Sequence, residues 1–129
     1  MLVDSHCHID FNDFEGDIDE IIQHMKENGV TAVLNAGNGL DGFDGQLDLS
    51  EIYPFIYTAV GVHPHNADEN TNLTAETLVE KTKHKKVVAI GECGLDYYYD
   101  YSTKANQFNV FKAHIAAADK DFEFTDDCS

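Results

Sequence analysis

Apolar residues recur along the chain with the spacings of helices and strands. Residues 17–28 carry apolar side chains at positions i, i+3, i+4 and i+7, a pattern that predicts an amphipathic helix. The apolar positions of this stripe are Ile18, Ile21, Ile22 and Met25. Gly29 follows and suits the left-handed residue that ends many helices. Residues 30–35 then form a short apolar run, which predicts a buried strand.

The alternation of apolar strand and helix runs through the chain four times. The predicted strands span residues 1–5, 30–35, 55–62 and 87–91, and the predicted helices span residues 17–28, 46–52 and 75–82, with a last one from residue 102 or 103 onward. Residues 35–45, which hold four glycines, predict a loop, as does the polar segment after His65. The last helix carries one apolar face, composed of Phe108, Phe111, Ile115 and Ala118. This rhythm indicates an α/β fold with a parallel sheet covered by helices.

Histidines and acids cluster where the predicted strands end. His6 and His8 alternate along a strand, so both side chains point to one face, together with Asp4 and Asp10 if the strand continues. His63 and Glu92 follow the third and fourth strands, and the carboxyl ends of parallel strands share one edge, where α/β folds bind ligands. Imidazole nitrogens suit zinc, nickel, iron or manganese better than calcium. A metal site is therefore predicted, with a solvent-facing His-x-His motif as the alternative.

Three further histidines, His24, His84 and His114, fall on predicted helices or loops, and we expect them to be surface residues. The cysteines are odd in number and lack the spacing of a zinc knuckle, so free thiols in a reducing cytoplasm are expected. No apolar run approaches the ~20 residues that span a bilayer, and no secretory signal is recognisable, so no membrane partner is predicted.

The charge of the chain constrains its partners. Twenty-four acidic residues oppose eight basic ones, which gives a net charge of −16. Such a surface repels a polyanion at long range, so a nucleic-acid substrate would have to be met locally, through metals or a few lysines. Solubility alone is the simpler interpretation of this acidity.

Three segments together resemble a known family. Residues 4–10 (Asp-Ser-His-Cys-His-Ile-Asp), 61–65 (Gly-Val-His-Pro-His) and 91–98 (Gly-Glu-Cys-Gly-Leu-Asp-Tyr-Tyr) resemble, in this order, three signatures of the TatD family of metal-dependent deoxyribonucleases. The family has an amidohydrolase-like (β/α)8 TIM barrel. The resemblance covers about residues 1–118 and implies a hydrolase that uses two divalent metal ions (Mg, Mn or Zn) to cleave phosphodiester bonds at DNA ends.

The resemblance also implies roles for single residues. His6 and His8 match ligands of the first metal, and Glu92 matches the catalytic carboxylate that bridges the two metals. Two cations ~4 Å apart clamp the attacking and leaving oxygens of an in-line displacement, and a shared carboxylate neutralises part of their charge.

Four residues are implied to bind substrate. His63 and His65 look like the pocket residues near the substrate phosphate, and their alternative is rim histidines beside a proline turn. Asp96 and Tyr97 would line the same mouth, and their alternative is a loop carboxylate and a core tyrosine.

The chain is shorter than the family pattern. A full barrel needs about 250 residues, so a truncated (β/α)8 TIM barrel of about four parallel βα units is expected in residues 1–118, followed by an atypical acidic tail in residues 119–129. The family's later histidine and aspartate ligands have no counterpart, so we expect an incomplete, weakly active or inactive fragment. Two alternatives stay open: a non-catalytic half-barrel that binds metal weakly or self-associates through its open sheet edges, and a fragment of a small-molecule amidohydrolase.

Overall fold

The computed structural model describes residues 1–9, 17–37 and 39–121, in which strands and helices alternate. Four parallel strands form one sheet in the order β1-β2-β3-β4. The strands are β1 (Leu2–Cys7), β2 (Val30–Asn35), β3 (Ile56–Val60) and β4 (Val87–Ile90). The helices are α1 (Ile18–Glu27), α2 (Phe43–Ile52), α3 (Ala75–Thr82) and α4 (Lys104–Asp121), with a 3₁₀ helix at Pro64–Asn70. The predicted βα rhythm and parallel sheet are confirmed.

Local sequence explains where several helices begin and end. Gly29, after α1, adopts a φ of +79°, the left-handed conformation that the sequence predicts there. The Thr74 side chain accepts a hydrogen bond from the Thr77 N–H at 3.2 Å and so caps α3. Thr103 does the same for the Asn106 N–H at 3.3 Å, which confirms that α4 starts after residue 103.

The core lies between the sheet and its helices. One cluster of buried side chains joins Ile18 and Ile22 of α1 to Val33 of β2 and Ile56 of β3. A second cluster joins the other half of the sheet to α2, α3 and α4, and its buried members are Phe43, Val60, Leu78, Val87 and Ala117. Burial of these apolar side chains holds the strands side by side, so that their carboxyl ends share one edge.

Two segments predicted as loops contain helix. Helix α2 begins at Phe43, inside the segment predicted as a loop, because the Phe43 ring is buried in the core and outweighs the poor helix propensity of Gly45. The segment after His63 is a 3₁₀ helix, with Pro64 at its first position, where a missing N–H costs nothing.

The buried face of α4 differs from the predicted one. Phe108 and Ile115 are 51% and 56% exposed. The buried side chains of α4 are instead those of Gln107, Val110, His114 and Ala117. Two polar residues can face the core here because their polar atoms hydrogen-bond to backbone groups.

Several sequence predictions fall near the limits of the described residues. Helix α4 runs to Asp121, whereas residues 122–129, and Cys128 with them, lie outside the described residues, so the division at residue 118 stays a prediction.

Cys7 and Cys93 are free thiols, and burial raises the pKa of Cys7 to about 11. Among the helices that the structure describes, none combines the length and apolar character needed to cross a membrane.

Candidate metal centre

Two histidines and a glutamate meet at the carboxyl edge of the sheet. His6 lies near the end of β1, His8 just beyond it, and Glu92 follows β4 by two residues. His6 Nε2 lies 3.3 Å from Glu92 Oε2, and His8 Nε2 lies 3.5 Å from the same oxygen. The two imidazole rings are 5.1 Å apart. The structure thus brings together the three residues that the sequence proposed as metal ligands.

The donor atoms fit a divalent cation. One ligand atom from each of His6, His8 and Glu92 lies within 4.8 Å of the others. At metal–ligand bonds of roughly 2.0–2.1 Å, neighbouring ligands of a tetrahedral site are about 3.3 Å apart, close to the observed spacing. The same separations exceed the roughly 2.7–3.2 Å of a good hydrogen bond. The arrangement is therefore better suited to sharing a cation than to direct hydrogen bonding.

His63 faces the other oxygen of the same carboxylate. Its Nε2 lies 3.5 Å from Glu92 Oε1, while its Nδ1 accepts a hydrogen bond from the His65 N–H at 3.1 Å. Burial lowers the pKa of His63, an effect that the nearby Glu92 charge opposes. In the neutral ring the proton must then sit on Nε2, because Nδ1 is an acceptor. His63 is accordingly a hydrogen-bond donor that faces Glu92 in the lining of the cleft.

His65 and Asp96 form a pair beside the centre. His65 Nε2 lies 2.7 Å from Asp96 Oδ2, and this hydrogen bond lowers the pKa of the Asp96 carboxyl. Asp96 Oδ1 accepts hydrogen bonds from the backbone N–H groups of Tyr98 and Tyr99, each at 3.2 Å. The ionised Asp96 therefore fixes the orientation of the His65 ring.

An open cleft of about 470 Å³ lies over the centre. Its lining residues are His6, His8, His63, His65, Asn66 and Glu92. Asp96 and Tyr97 are not among the described residues that line it: Asp96 stands behind His65, and the half-exposed Tyr97 ring packs near Lys104 Nζ at 5.2 Å. Asn66 was not singled out by the sequence, since only its place in the 3₁₀ helix brings it to the cleft.

Asn35, at the end of β2, holds the chain segment that follows His8. Its fully buried side chain accepts a hydrogen bond from the Ile9 N–H at 3.0 Å and donates one to the Ile9 carbonyl at 2.7 Å. Asp4 accepts from the His6 N–H at 3.0 Å and, among the described residues, belongs neither to the ligand cluster nor to the cleft lining. The Asp4 carboxylate thus bonds to the backbone of its own strand, and Asp10 lies outside the described residues.

Glycines from three strand ends position Glu92. The Gly37 N–H donates to the Gly91 carbonyl at 2.9 Å, and the Gly91 N–H donates to the Val60 carbonyl at 2.8 Å. A Cβ on Gly61 would lie 2.6 Å from the carbonyl carbon of Gly91. The backbones approach each other closely because these residues lack side chains, and Glu92 is carried on this packed turn.

His114 is buried behind the centre and holds the backbone next to His63, although the sequence placed it at the surface. It is 1% exposed. Its Nδ1 donates to the Val110 carbonyl at 2.7 Å and its Nε2 accepts from the Val62 N–H at 2.9 Å, one residue before His63. Burial lowers the pKa of His114. The surface prediction is wrong because a neutral imidazole with both nitrogens hydrogen-bonded can be buried.

We expect His114 to make folding stability depend on pH. A protonated His114 has no acceptor for the Val62 N–H, so protonation is favoured in the unfolded chain, whose histidine pKa is near 6.5. Its contribution to stability is present above that pH and is lost as pH falls towards the lowered folded pKa. Thermal melts between about pH 7 and about pH 5 should show a steeper loss for the wild type than for His114→Gln, which retains a donor and an acceptor but does not titrate. Equal slopes would contradict this role.

Comparisons with known proteins show which family the chain resembles. The model of the family described as TatD related DNase matches residues 3–121. The chain is 37% identical over 118 residues to the uncharacterized metal-dependent hydrolase YabD of Bacillus subtilis, covering 92% of this chain and 46% of that protein. It is 35% identical to the 3'-5' ssDNA/RNA exonuclease TatD of Musicola paradisiaca, covering 91% and 45%. The chain spans about half the length of the curated relatives it matches.

Solved structures show the same likeness. The TatD homolog YJJV from Escherichia coli K12 matches with a TM-score of 0.79 and 30% identity over 92% of this chain and 47% of that one. A hydrolase TatD family protein from Entamoeba histolytica matches with a TM-score of 0.80 and 24% identity, covering 92% and 46%, and shows the fold alone. The predicted arrangement of four βα units from a TIM barrel is confirmed.

Proposed function

The chain belongs to the family of TatD related DNases, and on that premise we propose that it supplies a divalent-metal centre for cleaving phosphodiester bonds in single-stranded DNA or RNA. The observation that carries this proposal is the convergence of His6, His8 and Glu92 within 4.8 Å at the carboxyl edge of the sheet. A centre of two imidazoles and one carboxylate suits a transition metal better than calcium.

Different side chains of the cleft would bind the cation and the substrate. His6, His8 and Glu92 would hold a divalent ion. Divalent ions at such a centre polarise the phosphodiester and activate water. His63 directs its Nε2–H into the cleft, where it can donate to a phosphate oxygen. His65, oriented by Asp96, lines the same cleft and restricts how the substrate lies.

We expect slow, metal-dependent hydrolysis by the chain alone. The described residues supply only three clustered donors, whereas efficient catalysis needs both cations held to within about 0.5 Å. A labelled single-stranded oligonucleotide should be degraded only with added Mg²⁺, Mn²⁺ or Zn²⁺, and at least about tenfold more slowly by Glu92→Gln. Glu51→Gln is the matched control, because Glu51 pairs with His84 elsewhere on the chain. Cleavage that persists in a chelator, or that is unchanged in Glu92→Gln, would refute the proposal.

Two alternatives predict different results for the same protein. A non-catalytic half-barrel would bind metal without turnover and would self-associate through β1 and β4, the outermost strands of the described sheet. Leu2, Val3 and Val88 on these strands are all exposed, and open edges favour strand pairing. Sedimentation of the same preparation as a dimer, with no turnover, would support this alternative. Hydrolysis of small amides or esters but not of oligonucleotides would support a small-molecule amidohydrolase.

A further inference from the structure

Three exposed tyrosines form an ordered aromatic surface beside the metal centre. The rings of Tyr99 and Tyr101 are parallel, with an interplanar angle of 0° and centroids 5.7 Å apart. The Tyr98 ring meets Tyr99 edge-on at 4.9 Å. Tyr98, Tyr99 and Tyr101, which we call the tyrosine platform, are 88%, 59% and 64% exposed. Aromatic surface concentrated in this way commonly marks a binding site.

The backbone around the tyrosine platform fixes it relative to the cleft. Asp96 accepts hydrogen bonds from the N–H groups of Tyr98 and Tyr99 through one oxygen and contacts His65 through the other. Asp100, which lies between Tyr99 and Tyr101 in the sequence, has a φ of +56°. Aspartate tolerates this left-handed conformation better than most residues do. The resulting turn brings Tyr99 and Tyr101 to the same side, so the two rings stack.

His65 connects the tyrosine platform to the metal centre. Its ring meets Tyr101 edge-on at 4.7 Å and Tyr99 at 6.0 Å. The same ring lines the cleft with His6, His8 and Glu92. A phosphate in the cleft would therefore have the aromatic rings within one nucleotide's reach.

The chemistry of this surface selects an unpaired base. Every nucleobase has a π-face that stacks on exposed aromatic rings with little regard to sequence, whereas bases inside a duplex are already stacked. The chain carries a net charge of −16, so long-range attraction cannot provide affinity for a polyanion. Stacking on neutral tyrosines needs no positive surface and serves this acidic chain better than lysine contacts would.

We propose that the tyrosine platform stacks an unpaired base of the nucleic acid whose phosphate lies at the metal centre. The proposal rests on the proposed function for the position of that phosphate. It adds a reason for preferring single strands: a duplex must unpair before its base can reach Tyr99 and Tyr101. It also makes binding depend more on aromatic rings than on salt.

The test measures binding separately from cleavage. A fluorescein-labelled phosphorothioate oligothymidylate of about 12 nucleotides, which resists hydrolysis, is titrated with the full chain in Mg²⁺ and followed by anisotropy. Tyr101→Leu should weaken binding roughly tenfold, whereas Tyr101→Phe, which keeps the ring, should bind as the wild type does. Tyr57→Leu is a further control, because Tyr57 lies on β3 near the opposite end of the sheet. An abasic oligomer of equal length should bind the wild type as weakly as oligothymidylate binds Tyr101→Leu.

Failure of this inference and failure of the proposed function give different results. If the wild type does not bind oligothymidylate, or if Tyr101→Leu and the abasic oligomer change nothing, the tyrosine platform is not a base-binding site. Hydrolysis that still depends on Glu92 would then leave the proposed function intact. Ring-dependent binding without any metal-dependent hydrolysis would overturn the proposed function but keep the base-binding site.

Discussion

Replacing Gly37 with alanine is expected to destabilise the protein by about 3 kcal/mol or more. A Cβ at this position would lie 1.9 Å from the Gly91 carbonyl oxygen and 2.6 Å from the Gly61 nitrogen, and both are backbone atoms. Neither can turn away as a flexible side chain would, so the ends of β2, β3 and β4 must separate. Since a domain's total stability is only about 5–15 kcal/mol, much of the chain should unfold at moderate urea.

The matched control is Gly45→Ala. Gly45 lies inside α2, where an added Cβ meets no atom within 4 Å. Alanine there should increase stability by about 0.5–1 kcal/mol, because it loses less backbone entropy in a helix than glycine does. Urea denaturation of both variants measures the difference. Similar midpoints for Gly37→Ala and Gly45→Ala would show that the close packing of the three glycines does not limit stability.

The convergence of His6, His8 and Glu92 at one edge of a parallel sheet could be predicted because simple periodicities determine it. Alternation along a strand places His6 and His8 on one side, and parallel strands bring Glu92 to the same edge. Neither inference needs knowledge of tertiary packing.

The buried face of α4 could not be predicted from apolar spacing. Gln107 donates to the carbonyls of Asp96 and Ser102 and accepts from the Asp96 N–H, while His114 bonds to Val62 and Val110. The partners of Gln107 lie 5 and 11 residues away, and Val62 lies 52 residues from His114. A pattern that counts only apolar residues assigns such polar positions to the surface.

The start of α2 and the tyrosine platform depend on contacts that sequence patterns do not record. Phe43 is buried against α3 and the sheet, and this burial extends α2 through a glycine-rich segment. From the sequence alone, Tyr99 and Tyr101 are ordinary exposed loop residues. Their orientation depends on the hydrogen bond from the Tyr99 N–H to Asp96 and on the left-handed backbone of Asp100. Both features arise from tertiary structure rather than from local propensity.

The second large effect is expected at Glu92. It is the only anionic donor in the described ligand cluster, and its two oxygens face His6 and His8 on one side and His63 on the other. Glu92→Gln preserves the shape of the side chain but removes its charge. Loss of a residue that merely orients a metal ligand costs roughly 10- to 100-fold in affinity, so loss of the charged ligand itself should cost at least about 100-fold.

Calorimetric titration of Mn²⁺ into the wild type and Glu92→Gln tests the metal centre most directly. Manganese is preferable to zinc because the free thiols of Cys7 and Cys93 could compete for a softer ion. The wild type should bind with micromolar or weaker affinity, Glu51→Gln should match it, and Glu92→Gln should show no measurable binding heat. Equal binding by the wild type and Glu92→Gln would show that His6, His8 and Glu92 do not form the metal centre.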